Sequence, residues 1–228
     1  MEIDKPLITI VMAVYEPNMQ WLKEQLLSLE AQTYPNLELI IRDDCSPNVP
    51  FEQICECAAT CIRSFPYEIS RNERNVGSNQ TFEWLTQQAR GEYIAYCDQD
   101  DVWKEEKIIS AVKCIENIDK PALYSSAVEV VDKDLTFIRK SFTDNTFKNP
   151  LYDILTYGTP GCTFVFNKAL MEKLKQYKPS VISMHDSWIS FVCLAVNGFF
   201  YSDQNAYIMY RQHDANVLGA QRHSLKDT

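Results

Sequence analysis

No apolar stretch in these 228 residues approaches the roughly 20 needed to cross a bilayer, and the acidic amino end has none of the basic character of a signal peptide. Basic residues are also in short supply. Twenty-two Lys and Arg stand against 31 Asp and Glu, for a net charge of −9, which argues against nucleic acid as a partner because phosphate backbones are bound through excess positive charge. The eight cysteines, Cys45, Cys55, Cys57, Cys61, Cys97, Cys114, Cys162 and Cys193, fall into no paired zinc spacing, and several lie within apolar runs. They read as buried free thiols in a reducing cytoplasm. No internal repeat or low-complexity linker divides the chain, so one core and one domain are expected over residues 1–228. Glycine is missing from Tyr15-Glu16-Pro17-Asn18, the loop after the first apolar run, where a nucleotidyltransferase would want a Gly-rich phosphate loop.

What is present is an alternation. Leu7 to Tyr15 is nearly continuous in apolar residues, as a strand buried on both faces requires. Met19 to Gln32 places Trp21, Leu22, Gln25, Leu26 and Leu29 at helical spacing, and Leu37 to Ile41 makes a second strand that ends on Asp43-Asp44-Cys45-Ser46-Pro47. Helix over Ile54 to Phe65, strand over Tyr67 to Arg71, helix over Thr81 to Ala89 and strand over Tyr93 to Cys97 complete the pattern, which specifies an α/β layer with a mostly parallel, Rossmann-like sheet flanked by helices. Further on, Ala122 to Val131 and Phe137 to Phe142 read as strands. Tyr157 to Phe166 reads as a turn and a buried strand, and Tyr207 to His213 as a terminal strand. The polar segment Thr143 to Pro150 is a lid candidate.

Ligands in such sheets bind beyond the carboxyl ends of the strands. Three polar clusters sit there: Tyr15-Glu16, Asp43-Asp44 and Asp98-Gln99-Asp100-Asp101. The last suits a hard divalent cation, which takes oxygen ligands from one or two carboxylates while substrate phosphates complete its shell. It also suits a solvated turn capping a helix that starts near Trp103. Asp43-Asp44, for its part, also reads as an ordinary turn before Pro47.

The stretches Thr9 to Tyr15, Ser28 to Ile41 and Asp43 to Ser46 resemble the start of a family 2 glycosyltransferase with a GT-A fold. Asn72 to Gly77 with Asn79, Ala89 to Ile94 and Asp98 to Trp103 follow in that family's order, so the likeness covers roughly residues 6 to 215. It implies an inverting, metal-dependent enzyme of the hexosyltransferase type, with a nucleotide-binding half over about residues 1–103 and an acceptor-binding half over about 104–228. The donor implied is a UDP- or dTDP-sugar, the acceptor a saccharide or lipid-linked hydroxyl, the cofactor Mn2+ or Mg2+, and the setting bacterial surface polysaccharide synthesis of the rhamnosyl or galactosyl type. Peripheral membrane association would come through segments beyond these residues. A non-catalytic nucleotide-sugar-binding module on the same fold is the rival.

The resemblance also implies roles. Asp100 would touch the metal and Asp98 the ribose, the diphosphate or a water of the metal shell, while Asp101 would cap the following helix. Asp44 would accept the pyrimidine N–H. Tyr15 would pack on the base, with Thr9, Ala13 and Val14 as its floor and Glu16, Arg74, Gly77, Asn79 and Gln99 around the nucleotide. Met184-His185-Asp186-Ser187-Trp188, just ahead of a helix from Trp188 to Val196, resembles the place of the catalytic base, often Glu-Asp in the family; Asp186 fits the base and also fits the N-cap of that helix. Arg211-Gln212-His213 resembles a terminal motif in which His213 would complete the metal shell or contact the diphosphate and Arg211 would grip phosphate. Asp214-Ala215-Asn216 then departs from the family's usual Gly-Asn-Asn.

Overall fold

A strand that is apolar without interruption needs cover on both faces, and β1 (Ile8–Val14) receives it. Ile8, Ile10, Met12 and Val14 enter one core cluster while Val11 enters another on the opposite face, the period of two that a pleated strand imposes. The computed structural model describes residues 5–141, 160–177 and 184–213. Within them β1 pairs in parallel with β2 (Leu37–Asp43) and β4 (Tyr93–Cys97), and β2 in parallel with β3 (Tyr67–Arg71).

Helices α1 (Met19–Glu30), α2 (Phe51–Cys61) and α4 (Lys107–Ile115) place Leu22, Leu26, Ile54, Ala58, Ile108 and Val112 in the first cluster. On the other face α3 (Ser78–Gln88), α5 (Lys168–Gln176) and α6 (His185–Ala195) supply Phe82, Leu85, Leu170, Ile189 and Val192.

Beyond β4 the sheet changes character. β8 (Val165–Asn167) runs antiparallel to β4, following a single 3-10 turn at Gly161–Thr163. The order continues through β6 (Ala122–Val131), β9 (Phe199–Arg211) and β5 (Val102–Trp103), with β7 (Phe137–Lys140) paired to β6. The expected mostly parallel sheet flanked by helices is thus present, with antiparallel members at its carboxyl-half side. Among the described residues no helix is long and apolar enough to cross a membrane.

Several expected boundaries move. α2 runs Phe51–Cys61 rather than Ile54 to Phe65, because the amides of Arg63 and Ser64 leave the helix to donate to Glu30 Oε2 at 3.0 and 3.2 Å. No helix begins near Trp103. Val102–Trp103 instead pairs with Met209 and Ile208 of β9, and α4 starts at Lys107. β9 begins eight residues earlier than the Tyr207 read from sequence. Its polar stretch carries a bulge: Ser126 and Ala127 pair with Asp203 and Ala206, so Gln204 and Asn205 are extra, and Asp203 Oδ1 accepts from the Asn205 amide. The lid candidate Thr143 to Pro150, the Asp214-Ala215-Asn216 departure, and Tyr157 to Thr159 lie outside the described residues.

Candidate active site

The ends of β1, β2 and β4 are stitched into one rim. The Asp44 amide donates to the Val14 carbonyl at 2.7 Å, and Gln99 makes a reciprocal pair with Tyr15: the Tyr15 amide donates to Gln99 Oε1 at 2.8 Å and Gln99 Nε2 donates to the Tyr15 carbonyl at 3.0 Å. This amide bridge leaves the Tyr15 ring at the rim, 43% exposed and free to meet a planar ligand.

Asp44 is almost fully buried, and its carboxylate organises the 72–77 loop by accepting from Asn72 Nδ2 at 2.7 Å, the Val76 amide at 2.9 Å and the Gly77 amide at 2.8 Å. Of roughly four acceptor positions on a carboxylate, one is left. Gly77 stands at φ +86°, a conformation that side chains beyond glycine adopt at a cost, so the loop's shape explains the residue. Arg74 is exposed on the same loop. Glu16, also at positive φ, accepts from the Asn48 and Val49 amides and Asn48 Nδ2, contacts that hold its carboxyl below the usual range.

Thr9 belongs elsewhere. It lies at the opposite end of β1, fully buried, donating to Glu38 Oε1 at 2.5 Å and accepting from the Gly91 amide at 2.8 Å. Glu38 in turn pairs with Arg90. Thr9 therefore fastens the start of β4 to β1 and β2 rather than flooring a nucleotide. Asp43 is likewise structural: 0% exposed, it accepts from Ser46 and pairs with Arg71 at 3.1 Å.

At the end of β4 the acidic loop divides its labour. Asp100 Oδ2 meets His213 Nε2 at 2.8 Å, and the His213 ring packs 4.7 Å from Trp21. Asp98 is only partly buried yet its carboxyl is pushed up to about 7, chiefly by loss of solvation and then by the charges of Asp100 and Asp186. Three carboxylates 88 residues apart at the extremes thus crowd one crevice.

Asp101 does not cap a helix. It is 0% exposed and its Oδ1 accepts the Arg211 amide at 3.0 Å, pinning the end of β9 beneath the loop. Arg211 departs from its expected role for a related reason. Its guanidinium is 1% exposed and donates to the carbonyls of Asp100 and Lys133 and to Glu24 Oε2, a set of partners that makes it an internal strut and holds its fork away from a phosphate.

Asp186 lies inside the first turn of α6, which starts at His185 rather than Trp188. The N-cap is Met184, which makes no side-chain cap bond, and Asp186 Oδ1 accepts from its neighbour, the Ser187 amide, at 2.6 Å. A carboxylate there is favoured by the helix dipole. Beside it His185 stacks 4.4 Å from Phe82, while its backbone amide donates to Asn79 Oδ1 at 2.8 Å. Asn79 thereby joins α3 to α6. Burial lowers the His185 pKa, against the opposing pull of Asp186, so the ring is neutral near pH 7. Facing both is Gly161, whose missing Cβ would stand 3.0 Å from Asp186 Cβ and 3.1 Å from His185 Nε2.

The residues present fit a divalent cation. Asp100 and His213 converge on one point, and the negative charge of Asp100 and Asp186 that adds to burial in raising Asp98 is what a dication would relieve. Sequence reasoning missed Trp21 and Glu24, which hold His213 and Arg211; the signal was their i, i+3 spacing on one face of α1.

Comparison with known proteins agrees with this geometry. The family model described as glycosyl transferase family 2 matches residues 9–175. The chain is 26% identical over 210 residues to the dTDP-rhamnosyl transferase RfbG of Shigella flexneri, covering 88% of this chain and 71% of that protein. It is 28% identical over 219 residues to the uncharacterized glycosyltransferase MJ1057 of Methanocaldococcus jannaschii, with 92% and 72% covered. Among solved structures, S. aureus TarS 1–349 in complex with UDP-GlcNAc superposes with a TM-score of 0.70 at 20% identity, over 92% of this chain and 59% of that one. The mannosyltransferase PcManGT of Pyrobaculum calidifontis, in complex with GDP-Man and Mn2+, gives 0.65 at 16%, over 91% and 57%. This chain therefore spans a little under three-fifths of the length of those two solved chains. The fold is that of the GT-A glycosyltransferases, and the chain belongs to glycosyl transferase family 2.

Proposed function

We propose that this protein is an inverting glycosyltransferase that moves a sugar from a UDP- or dTDP-linked donor to a hydroxyl of a saccharide or lipid-linked acceptor in bacterial surface polysaccharide synthesis. The observation that carries the reading is the convergence of Asp98, Asp100 and Asp186 in one crevice at the carboxyl ends of the parallel strands, with Asp98 raised first by burial and then by the charges of the other two. The relative described as a dTDP-rhamnosyl transferase and the fold neighbour bound to UDP-GlcNAc support a pyrimidine nucleotide donor.

The nucleotide would lie on the stitched rim, its base against Tyr15 and its ring N–H on the one acceptor position that Asp44 has left. Asp98 would face the ribose and diphosphate side. Mn2+ or Mg2+ held by Asp100 and His213 would supply neutralisation of the negative charge that grows on the diphosphate as the glycosidic bond breaks. On the far side of the sugar Asp186 takes the proton of the acceptor hydroxyl as its oxygen bonds to the anomeric carbon and the bonding pair departs with the diphosphate. His185 stays neutral and fixes the turn that carries Asp186.

A donor-hydrolysis screen tests this without knowledge of the acceptor. UDP- and dTDP-sugars should be hydrolysed slowly in the presence of Mn2+ and GDP-sugars less so, and Asp100→Asn should abolish the metal-dependent part. Failure to bind or hydrolyse either pyrimidine donor would overturn the proposal.

A further inference from the structure

Two residues before Asp44, β2 carries an arginine to which the proposed reaction gives no part. The alternation of faces along the strand puts Arg42 with Ile40 on the side that α3 covers. Its guanidinium lies 3.9 Å from the centroid of the Trp84 ring of α3, its Nη1 donates to Ser70 Oγ at 3.0 Å, and its Nε donates to Asn72 Oδ1 at 2.6 Å. Asn72 passes the contact on. Its Nδ2 donates to Asp44 Oδ1 at 2.7 Å and to Thr81 Oγ1 at 3.2 Å, while its backbone amide donates to the Asp43 carbonyl at 2.8 Å.

The chemistry of the three groups gives this chain one direction. A guanidinium only donates, a carboxylate only accepts, and a primary amide does both through distinct atoms. Between Arg42 and Asp44 the Asn72 amide therefore has a single favourable orientation, since the flipped one would set NH2 against guanidinium and oxygen against carboxylate. Oδ1 of Asp44 takes two bonds, from Asn72 and the Val76 amide, and Oδ2 takes one, from the Gly77 amide. The acceptor position left open is then on Oδ2. A carboxylate held at three points presents that position in one direction, whereas one free to rotate would spread it over both oxygens.

We infer that Arg42 is a positioning residue for Asp44, acting through Asn72, and thereby a determinant of which nucleobase the rim accepts. Uracil and thymine present a proton on the ring nitrogen between their carbonyls, where cytosine presents a lone pair. An oriented acceptor on Oδ2 suits the first two and repels the third. A site built to hydrogen-bond one ligand group discriminates strongly against an analogue of the same shape that lacks it. The Trp84 stack ties β2 to α3; the bond to Asn72 is what reaches the base contact. The consequence for base choice rests on the proposed function, whereas the coupling of Arg42 to Asp44 does not.

The test titrates UDP and CDP, each with Mn2+, into wild type, Arg42→Met, Asn72→Leu and the double variant. Arg42→Met keeps an apolar stem for Trp84 and removes every donor. The preference for UDP over CDP should fall roughly tenfold, the scale of one lost hydrogen bond to a charged group. The double variant should match Asn72→Leu alone, because residues acting in series do not add. Arg42→Lys, whose ammonium also only donates, should recover at least half of the lost preference on a logarithmic scale. Without nucleotide, hydrogen exchange at the Val76 and Gly77 amides should quicken in Arg42→Met. A strut between β2 and α3 alone would lower Tm and both affinities together. A wild-type UDP-to-CDP ratio in Arg42→Met, additive losses in the double variant, or an Arg42→Lys no better than Arg42→Met would therefore overturn the inference, as would unchanged exchange at both amides. If Arg42→Met is insoluble, Arg42→Gln takes its place under the same criteria. Wild type that binds UDP no better than CDP would sink Asp44 as the base contact, and base choice with it, while the exchange rates would still decide whether Arg42 positions Asp44.

Discussion

Adding one methyl group at Gly161 is the sharpest probe of the site. An alanine Cβ there would lie 3.0 Å from Asp186 Cβ and 3.1 Å from His185 Nε2, with Asp186 Oδ2 at 3.7 Å. Non-bonded carbons settle at about 3.5–4.0 Å, so the first turn of α6 must retreat by about 0.5–1 Å. A misplacement of about 1 Å in a reacting group can cost on the order of 10²-fold, so Gly161→Ala should lower kcat roughly 10- to 100-fold. The fold should lose a small to moderate amount of stability. The Gly161 backbone is not in the left-handed region, so alanine can adopt it and gains about 0.4–1 kcal/mol from a stiffer unfolded chain. That offsets part of an overpacking cost of about 1–3 kcal/mol. Steady-state donor hydrolysis, giving kcat and KM separately, and a thermal melt on the same sample read the two effects. A kcat within twofold of wild type at unchanged Tm would refute the placement of Asp186 at the reacting centre. A raised KM with kcat intact would mean instead that the glycine makes room for the donor.

Asp186→Asn, nearly isosteric but unable to accept the proton, should leave Mn2+ and nucleotide affinity within a fewfold of wild type while transfer falls by about 10²–10⁴; loss of donor binding in a calorimetric titration would move Asp186 into the nucleotide site. Asp44→Ala should flatten the preference for uridine and thymidine diphosphates over guanosine diphosphate, and should also lower Tm, because it strands the Val76 and Gly77 amides that the carboxylate now satisfies. A variant that discriminates as wild type does would place the base elsewhere. Asp98, raised to about 7 when folded, binds its proton more tightly folded than unfolded, so its contribution to stability is present below about pH 4 and is lost as pH rises through 7. Metal-free wild type should therefore lose Tm relative to Asp98→Asn between pH 4 and 7, and parallel curves would remove the crowding argument.

The strands whose side chains are dictated by cover alone were legible from sequence. β1, β4 and β6 fall within a residue or so of their expected limits, because a run buried on both faces carries its own boundary. Residues whose role depends on a distant partner were not. Asp101 looked like a cap because its neighbours along the chain are polar, yet its partner is an amide 110 residues away. Arg211 looked like a phosphate fork for the same reason: nothing nearby in sequence announces Glu24 or the Lys133 carbonyl. Thr9 was drawn into the nucleotide site by sharing a strand with Ala13 and Tyr15, although four residues along a strand span about 13 Å. Asp100, His213 and Gln99, by contrast, were placed at the rim from their motifs, and the structure brings them there.

The last strand of the described fold has a consequence for how the protein is made. Among the described residues β5 has no neighbour except β9, and the acidic loop ahead of it is held from below by the Arg211 amide and faced by His213. During synthesis, β1 to β4 and their helices emerge with most of their partners already available. Asp100 and Asp101, though made early, must wait for more than a hundred further residues before their contacts with Arg211 and His213 can close. A nascent chain that has reached α6 therefore carries a nearly finished β1–β4 rim with an unsecured acidic loop. The proposed site is completed late and all at once, when β9 slides in beside β6 and takes β5 with it.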